Sequence, residues 1–367
     1  MTERLRRVRE ILRERQLNAL LVSLPANRFY LTGFPDDDDG PDESSGVVLV
    51  SPSSATLYTG ATNTPWATDV VFPDVTVTPW ERPWEPFLGA ALRTASFVRI
   101  GFEDEALTVA AHTRIREAAG DGCALVPVGD GVSRGRSVKD RAEIELISAA
   151  IAITDDAFWA ATSGLTAGTT ERDLARQIDD QLTRHGADAP SFPTIVAAGP
   201  HAARPHHEPG ERAIGVGEPV IIDMGARLRG YAADLTRTIW VGDATPKLRD
   251  IYNVVLAAQE AAIAALRAGV RGQTVDAVAR DLIEAAGFGD QFVHGLGHGL
   301  GIRVHEAPSL SKLSEDVLAV DEVTTVEPGI YIEGWGGVRI EDVVVIEVDG
   351  SRVLTGAPKA RPGTSDA

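Results

Sequence analysis

Asp223 and Asp234 each sit in an apolar run, and eleven positions separate them. The first run, 220–222, reads as a buried strand. The second, 235–241, is β-branched and reads as its hairpin partner, joined through Gly225 and Gly230. A carboxylate inside a buried hairpin costs several kcal/mol unless it is paired or holds a cation. Two of them on neighbouring strands point to a cation. Four further stretches could complete the site. Gly295-Leu296-Gly297-His298-Gly299-Leu300-Gly301 flanks a histidine with glycines that allow close approach. Val326-Glu327-Pro328-Gly329 places a glutamate at a strand end, and Val338-Arg339-Ile340-Glu341-Asp342 places one inside a β-branched strand. His206-His207 lies in a Pro- and Gly-rich loop ahead of Asp223.

Asp223, Asp234, Glu327, Glu341 and His298 make an oxygen-rich set with one imidazole. That set suits a pair of divalent ions bridged by carboxylates. It does not suit a structural zinc, which favours cysteines in a closed tetrahedron. Taken singly, a glutamate on a strand is usually surface-facing, and a histidine is usually a satisfied core or loop residue. The whole set in apolar or Gly-rich surroundings is much harder to explain that way.

The elements that must carry these residues alternate between strand and helix, the pattern of an α/β protein. Leu5, Val8 and Leu12 mark an amphipathic surface helix. Short strands are predicted at 19–23, 97–101 and 124–128, a strand pair at 47–50 and 56–59, and a helix at 106–119. Residues 29–34 end an element, and 79–86, with Trp80, Trp84 and three prolines, read as an irregular connection. Residues 35–45 hold Asp36, Asp37, Asp38, Asp39, Asp42 and Glu43. They read as a solvated acidic loop, with a lid or partner-facing role as the alternative. Glycine, arginine and serine cluster at 129–137, which places a domain boundary there and gives domains 1–133 and 134–367. A helix is expected from Ser137, with Asp140 at the capping-box position and Ile144, Ile147 and Ile151 as its buried stripe. Helices follow at 170–185, with Leu174, Ile178 and Leu182 on one face, at 246–268, and at 275–286, closed by Gly287. Strands are predicted at 323–326, 329–332 and 338–348.

The chain of 367 residues is long enough for one large domain or two, and its 44% apolar and 24% charged content is ordinary for a soluble globular protein. A net charge of −18 argues against a nucleic-acid partner, which needs a basic face. The single cysteine, Cys123, excludes an internal disulfide and fits a reducing compartment. Residues 1–16 lack the apolar segment of a signal peptide, and no run approaches transmembrane length. The expectation is a cytoplasmic protein with no membrane partner.

In this order the stretches resemble the metallopeptidases of the pita-bread fold: Xaa-Pro dipeptidases (prolidases), aminopeptidase P and methionine aminopeptidases. The matching stretches are Ile222-Asp223 with Ala233-Asp234-Leu235-Thr236-Arg237-Thr238, Gly297-His298-Gly299 with Val304-His305-Glu306, Glu327-Pro328-Gly329, and Arg339-Ile340-Glu341-Asp342. The N-terminal part, through Tyr30-Leu31-Thr32-Gly33-Phe34, resembles the creatinase-like N-domain. Methionine aminopeptidases lack that domain, so the prolidase and aminopeptidase P branch fits better. The resemblance implies an α/β (α+β) chain with a creatinase-like N-terminal domain and a C-terminal pita-bread domain. It implies metal ligands at Asp223, Asp234, His298, Glu327 and Glu341, a substrate-binding His206, further active-site residues at His294, His305 and Arg339, and two ions, manganese or cobalt. The reaction it implies is hydrolysis of the Xaa-Pro bond of short peptides by a hydroxide bridging the ions, with Glu327 moving the proton, in a homodimer.

One departure concerns length preference. Some prolidases carry an arginine just after the His-Glu-x-Pro stretch, but here His305-Glu306-Ala307-Pro308 is followed by Ser309. Arg303 is the nearest substitute. Competing readings are a hydrolase of another small amide, a binding protein on the same fold, and a serine nucleophile at Gly131-Val132-Ser133-Arg134-Gly135. The last requires a helix to start directly after the serine, whereas one is predicted only from 137 or 138.

Overall fold

The short apolar strands of the N-terminal part join one six-stranded sheet in the order Thr76–Pro79, Ala55–Thr59, Gly46–Val50, Ala19–Val22, Arg99–Phe102, Ala124–Pro127. The computed structural model describes residues 3–35, 38, 40 and 43–359, and the chain divides into two units, Met1–Arg136 and Ser137–Ala367. In the first, Ala19–Val22 is buried at every position, as its unbroken apolar run requires. It pairs antiparallel with Gly46–Val50 and parallel with Arg99–Phe102. Helix Glu3–Glu14 buries Leu5, Val8 and Leu12, the predicted stripe.

Residues 79–86 are more regular than expected. They hold the end of strand Thr76–Pro79 and the start of helix Trp84–Thr94. The prolines are tolerated because they fall on the last strand residue, the N-cap and the first helical turn. Trp80 stacks on Trp84 with ring centroids 5.4 Å apart, which fixes the corner. Of the acidic loop, Asp36, Asp37, Asp39 and Asp42 lie outside the described residues. Asp38 is not solvated: it pairs with buried Arg28 at 2.8 Å and accepts the Ser45 N–H.

The second unit begins its long helix, Arg141–Thr162, later than expected. Asp140 is itself the N-cap and Glu143 its reciprocal partner, so the capping box starts at Asp140 rather than Ser137. Ile144 is only half-buried, and Ile147, Ala150, Ile151 and Phe158 carry the buried face. Strand Val220–Met224 pairs antiparallel with Leu235–Ile239, Asp223 facing Thr236, as the hairpin reading required. Ile195–Ala198 adds a third strand on its other edge.

The expected single strand 338–348 is two. Gly336–Arg339 folds back on Gly329–Ile332, and Asp342–Ile346 pairs with Val323–Val326. Between them the Glu341 N–H donates to the Thr236 carbonyl, so the chain steps across to the aspartate hairpin at the glutamate. Helices Pro246–Ala265 and Gly272–Ala285 supply Leu248, Val255, Val275 and Ala279 to a core that includes Val326, Ile330, Val338, Ile340 and Val344. Burial of Val326, Ile340 and Val344, each worth about 1.5–3 kcal/mol, anchors the strands on either side of Glu327 and Glu341. Among the described residues no helix is long and apolar enough to cross a membrane.

Candidate active site

A cavity of about 860 Å³ in the second unit is lined by every site residue the sequence singled out: Asp223, Asp234, His298, Glu327, Glu341, His206, His294, His305 and Arg339. Backbone fit explains how His298 gets there. A Cβ at Gly297 would lie 2.1 Å from the Thr325 carbonyl oxygen, and one at Gly299 would lie 2.0 Å from that of Ala307. Only glycine on both sides lets this strand run between its neighbours.

The acidic groups are crowded and dry. Asp234 and Glu341 are 5% and 1% exposed. Thr236 Oγ1 donates to Glu341 Oε2 at 2.8 Å, and His298 Nε2 lies 3.1 Å from Glu327 Oε1 and 3.8 Å from Asp234 Oδ2. Burial and the neighbouring Glu327 and Asp223 charges push Glu341 up to about 8. Burial, with Glu341 and Asp223, carries Asp234 well above the usual carboxylate range. Asp223 is also raised by burial, against the pull of Arg339. Glu327 goes the other way: burial opposes ionisation, but the hydrogen bond and charge of His298 hold it down to about 2. Burial disfavours the His298 imidazolium, yet Glu327 raises His298 to about 9.

These residues fit divalent cations. Asp223 Oδ1 and Glu341 Oε1 are buried and meet no hydrogen-bond donor among the described residues. Asp234, His298 and Glu341 present ligand atoms within 4.8 Å of one another. Four carboxylates and one imidazole match the donor preference of manganese-class ions. Orphaned carboxylate oxygens and proton-retaining acids are what such a set looks like when positive charge is its natural partner.

Tyr331, which the sequence reading missed, links two residues that it singled out, Arg339 and His294. Arg339 donates to Asp223 Oδ2 at 2.6 Å, to Thr236 Oγ1 at 3.0 Å and to the Tyr331 hydroxyl at 2.9 Å. Tyr331 in turn meets His294 Nε2 at 2.8 Å. Strand alternation could have flagged Tyr331: Arg339 faces Gly329, and Tyr331 is two residues further on the same face. Gly329 makes room, since a Cβ there would fall 2.5 Å from the Tyr331 hydroxyl. The His305 ring packs edge-on against His298, centroids 4.4 Å apart. Burial lowers both His294 and His305 below the ordinary histidine value, which favours their neutral form. Phe192, Pro193, Ile195, Pro205 and Val293 form an apolar wall. His207 lines the cavity, but its Nε2 faces Glu171 rather than the aspartates.

Ser309 also lines the cavity; Arg303 is exposed and does not. Gly131–Gly135 is a short helix in itself, with Ser133 inside it and its hydroxyl accepting from Asn27, so it is not a strand-to-helix nucleophile turn.

A carboxylate cluster suited to divalent cations at the meeting of antiparallel sheets, in a chain whose first unit is α/β, is the arrangement expected of a metallohydrolase. The chain belongs to Metallopeptidase family M24, which it matches over residues 145–347, and residues 4–138 match the Creatinase/Prolidase N-terminal domain. It is thus an enzyme of the pita-bread metallopeptidases, a family that uses divalent metals. It is 33% identical to an Xaa-Pro dipeptidase of Pyrococcus furiosus, over 97% of this chain and 98% of the relative. Among solved structures it is similar to an Xaa-Pro dipeptidase from Bacillus anthracis, with TM-score 0.90, 33% identity, and 97% and 98% of the two chains covered. It is also similar to an X-Pro aminopeptidase from Thermotoga maritima, with TM-score 0.85, 33% identity, and 94% and 98% covered.

Proposed function

We propose that this prolidase-like metallopeptidase removes the first residue of short peptides by hydrolysing an Xaa-Pro bond, using two divalent ions held by Asp223, Asp234, His298, Glu327 and Glu341. The observation that carries this reading is the pair of orphaned buried oxygens, Asp223 Oδ1 and Glu341 Oε1, within one carboxylate-lined cavity. The ions, manganese or cobalt, supply Lewis acidity, acidifying a water and polarising the scissile carbonyl. Glu327, ionised across the working range, accepts the water's proton and returns it to the departing proline nitrogen. His305, within the cavity, donates a hydrogen bond to the carbonyl oxygen as negative charge develops there, while His294, whose one N–H goes to the Gly295 carbonyl, accepts from the Tyr331 hydroxyl at Nε2 and holds that side of the site in place. His206, on the loop at the cavity mouth, binds substrate. The apolar wall of Phe192, Pro193 and Ile195 receives the proline ring and the first side chain.

Length preference follows from the cations available. Among the described lining residues Arg339 is the only arginine or lysine, and it is committed to Asp223, Thr236 and Tyr331. Ser309 offers a hydroxyl and no charge, so the substrate class includes peptides longer than dipeptides. The relatives' two names, dipeptidase and aminopeptidase, are consistent with such a range. The working form proposed is a homodimer, on the strength of the family resemblance, in the cytoplasm, a reducing compartment that the single cysteine, Cys123, fits. Domain limits of 1–133 and 134–367 are proposed for expressing the parts. Assays of Ala-Pro, Ala-Pro-Ala, Ala-Ala and Met-Ala-Ala, each with Mn²⁺ and with EDTA, test the reaction. Cleavage of the Pro-containing pair that is lost in EDTA is expected; equal cleavage of Ala-Ala would overturn the specificity.

A further inference from the structure

We propose that Glu171, His201 and His207 form a second divalent-cation site, of the nitrogen- and oxygen-ligated class that Zn²⁺ occupies, beside the cavity, which His207 alone of the three lines, and apart from the set around Asp234. Glu171 opens helix Glu171–Arg184 and is completely buried. Its carboxylate faces the segment 198–210. Oε1 accepts the Ala198 N–H at 2.8 Å and Oε2 the Gly210 N–H at 3.1 Å. His201 Nδ1 lies 2.9 and 3.1 Å from the two oxygens, and His207 Nε2 lies 3.0 Å from Oε2. The imidazole rings lie 4.3 Å apart between centroids.

A carboxylate offers about four lone-pair sites. The two backbone amides are fixed donors and occupy two of them. Both imidazoles then converge on what is left, with His201 straddling the two oxygens. An amide nitrogen can only donate, whereas an imidazole nitrogen can present a lone pair instead. One ligand atom from each of the three side chains lies within 4.8 Å of the others. Two imidazoles and a carboxylate are a three-ligand zinc set that leaves further positions to solvent. The amides on Glu171 act as the outer partners that orient a metal-ligating carboxylate. The His201 side chain is 31% exposed and provides the way in. His206 lies between the two histidines in sequence, so an ion here also fixes the loop that presents it.

The inference does not depend on the proposed reaction, and its test does not read activity. Asp234→Asn/Glu341→Gln removes ligands of the main set. That protein, stripped of metal, equilibrated with Zn²⁺ and desalted, is compared by elemental analysis with the same protein carrying His201→Ala or His207→Ala. One more zinc per chain is expected before the histidine is removed than after, with a zinc-induced rise in Tm that the histidine variants lack. If the background does not fold, the comparison is made on the Mn²⁺-loaded wild type against His201→Ala alone, again expecting a difference of one ion. Equal zinc counts in folded proteins would overturn the site and leave the cluster as a hydrogen-bonded clamp.

Discussion

Arg339 donates to Asp223 Oδ2 at 2.6 Å while the other oxygen of that carboxylate meets no donor among the described residues. One arm of Asp223 is thereby fixed by protein and the other left for a ligand. Tyr331 and Thr236 hold the guanidinium in turn. Arg339→Lys keeps the charge but cannot span all three partners. A loss of about 10–100-fold in metal affinity or kcat/KM is expected, with Tm changed little; wild-type Mn²⁺ affinity in the variant would show that the span is dispensable.

Asp223→Asn and Glu341→Gln should abolish activity without unfolding the chain. Glu341 is buried beside Glu327 and Asp223, whose charges raise the cost of its own. The EDTA-treated Glu341→Gln protein should therefore melt no lower than EDTA-treated wild type at pH 8, while its gain in Tm on adding Mn²⁺ shrinks. Metal analysis of saturated wild type should give two ions per chain, and one or none would refute the dinuclear reading.

The pH dependence of stability has a definite sign. Glu341, raised to about 8, keeps its proton in the folded chain after the unfolded chain has lost it, so its contribution falls as pH climbs toward 8. His298, raised to about 9, contributes fully below the ordinary histidine value and is lost as pH climbs toward 9. Glu327, held at about 2, contributes above the ordinary carboxylate value and is silent in this window. In EDTA, Tm should drop between pH 6.5 and 8.5. With Mn²⁺ the drop should flatten, because the cation takes the place of the protons. Calorimetry showing a flat or rising Tm in EDTA would contradict the assignment.

Substrate length tests Ser309. Ala-Pro-Ala should be cleaved at least as well as Ala-Pro, and Ser309→Arg should shift the ratio toward the dipeptide by about ten- to a hundredfold, the value of one charge-assisted contact. A wild-type preference for Ala-Pro above tenfold would mean that another cation meets the carboxylate.

Gly299→Ala places a methyl 2.0 Å from the Ala307 carbonyl oxygen. A destabilisation of about 1–3 kcal/mol is expected from overpacking, together with displacement of His298. Chemical denaturation and a Mn²⁺ titration would read the two effects separately.

The aspartate hairpin was legible because apolar runs interrupted by single carboxylates have few physical explanations. The neighbourhood of His298 was legible for a similar reason, since flanking glycines signal close backbone approach. Tyr331 was not, because a tyrosine in a β-rich stretch is ordinary and only the register with Arg339 gives it meaning. The break at Ile340-Glu341 was hidden for a related reason. The β-branched residues Val338, Ile340 and Val343 to Ile346 favour strand on both sides of the break, and what interrupts the ladder is a long-range hydrogen bond to Thr236. The late start of Arg141–Thr162 reflects two candidate caps close together, of which Asp140 has the matching glutamate.

Glu341 reaches the aspartate hairpin only by stepping from one sheet to the next, through the Thr236 carbonyl. A nascent chain that has made Asp223 and Asp234 therefore has two buried acids and no completed cage until residue 341 has left the ribosome. Until then metal cannot help it fold. Nonsense mutations between residues 234 and 341 should yield not a weakened enzyme but a chain with two buried acids and an incomplete cage, a natural substrate for the cell's quality control.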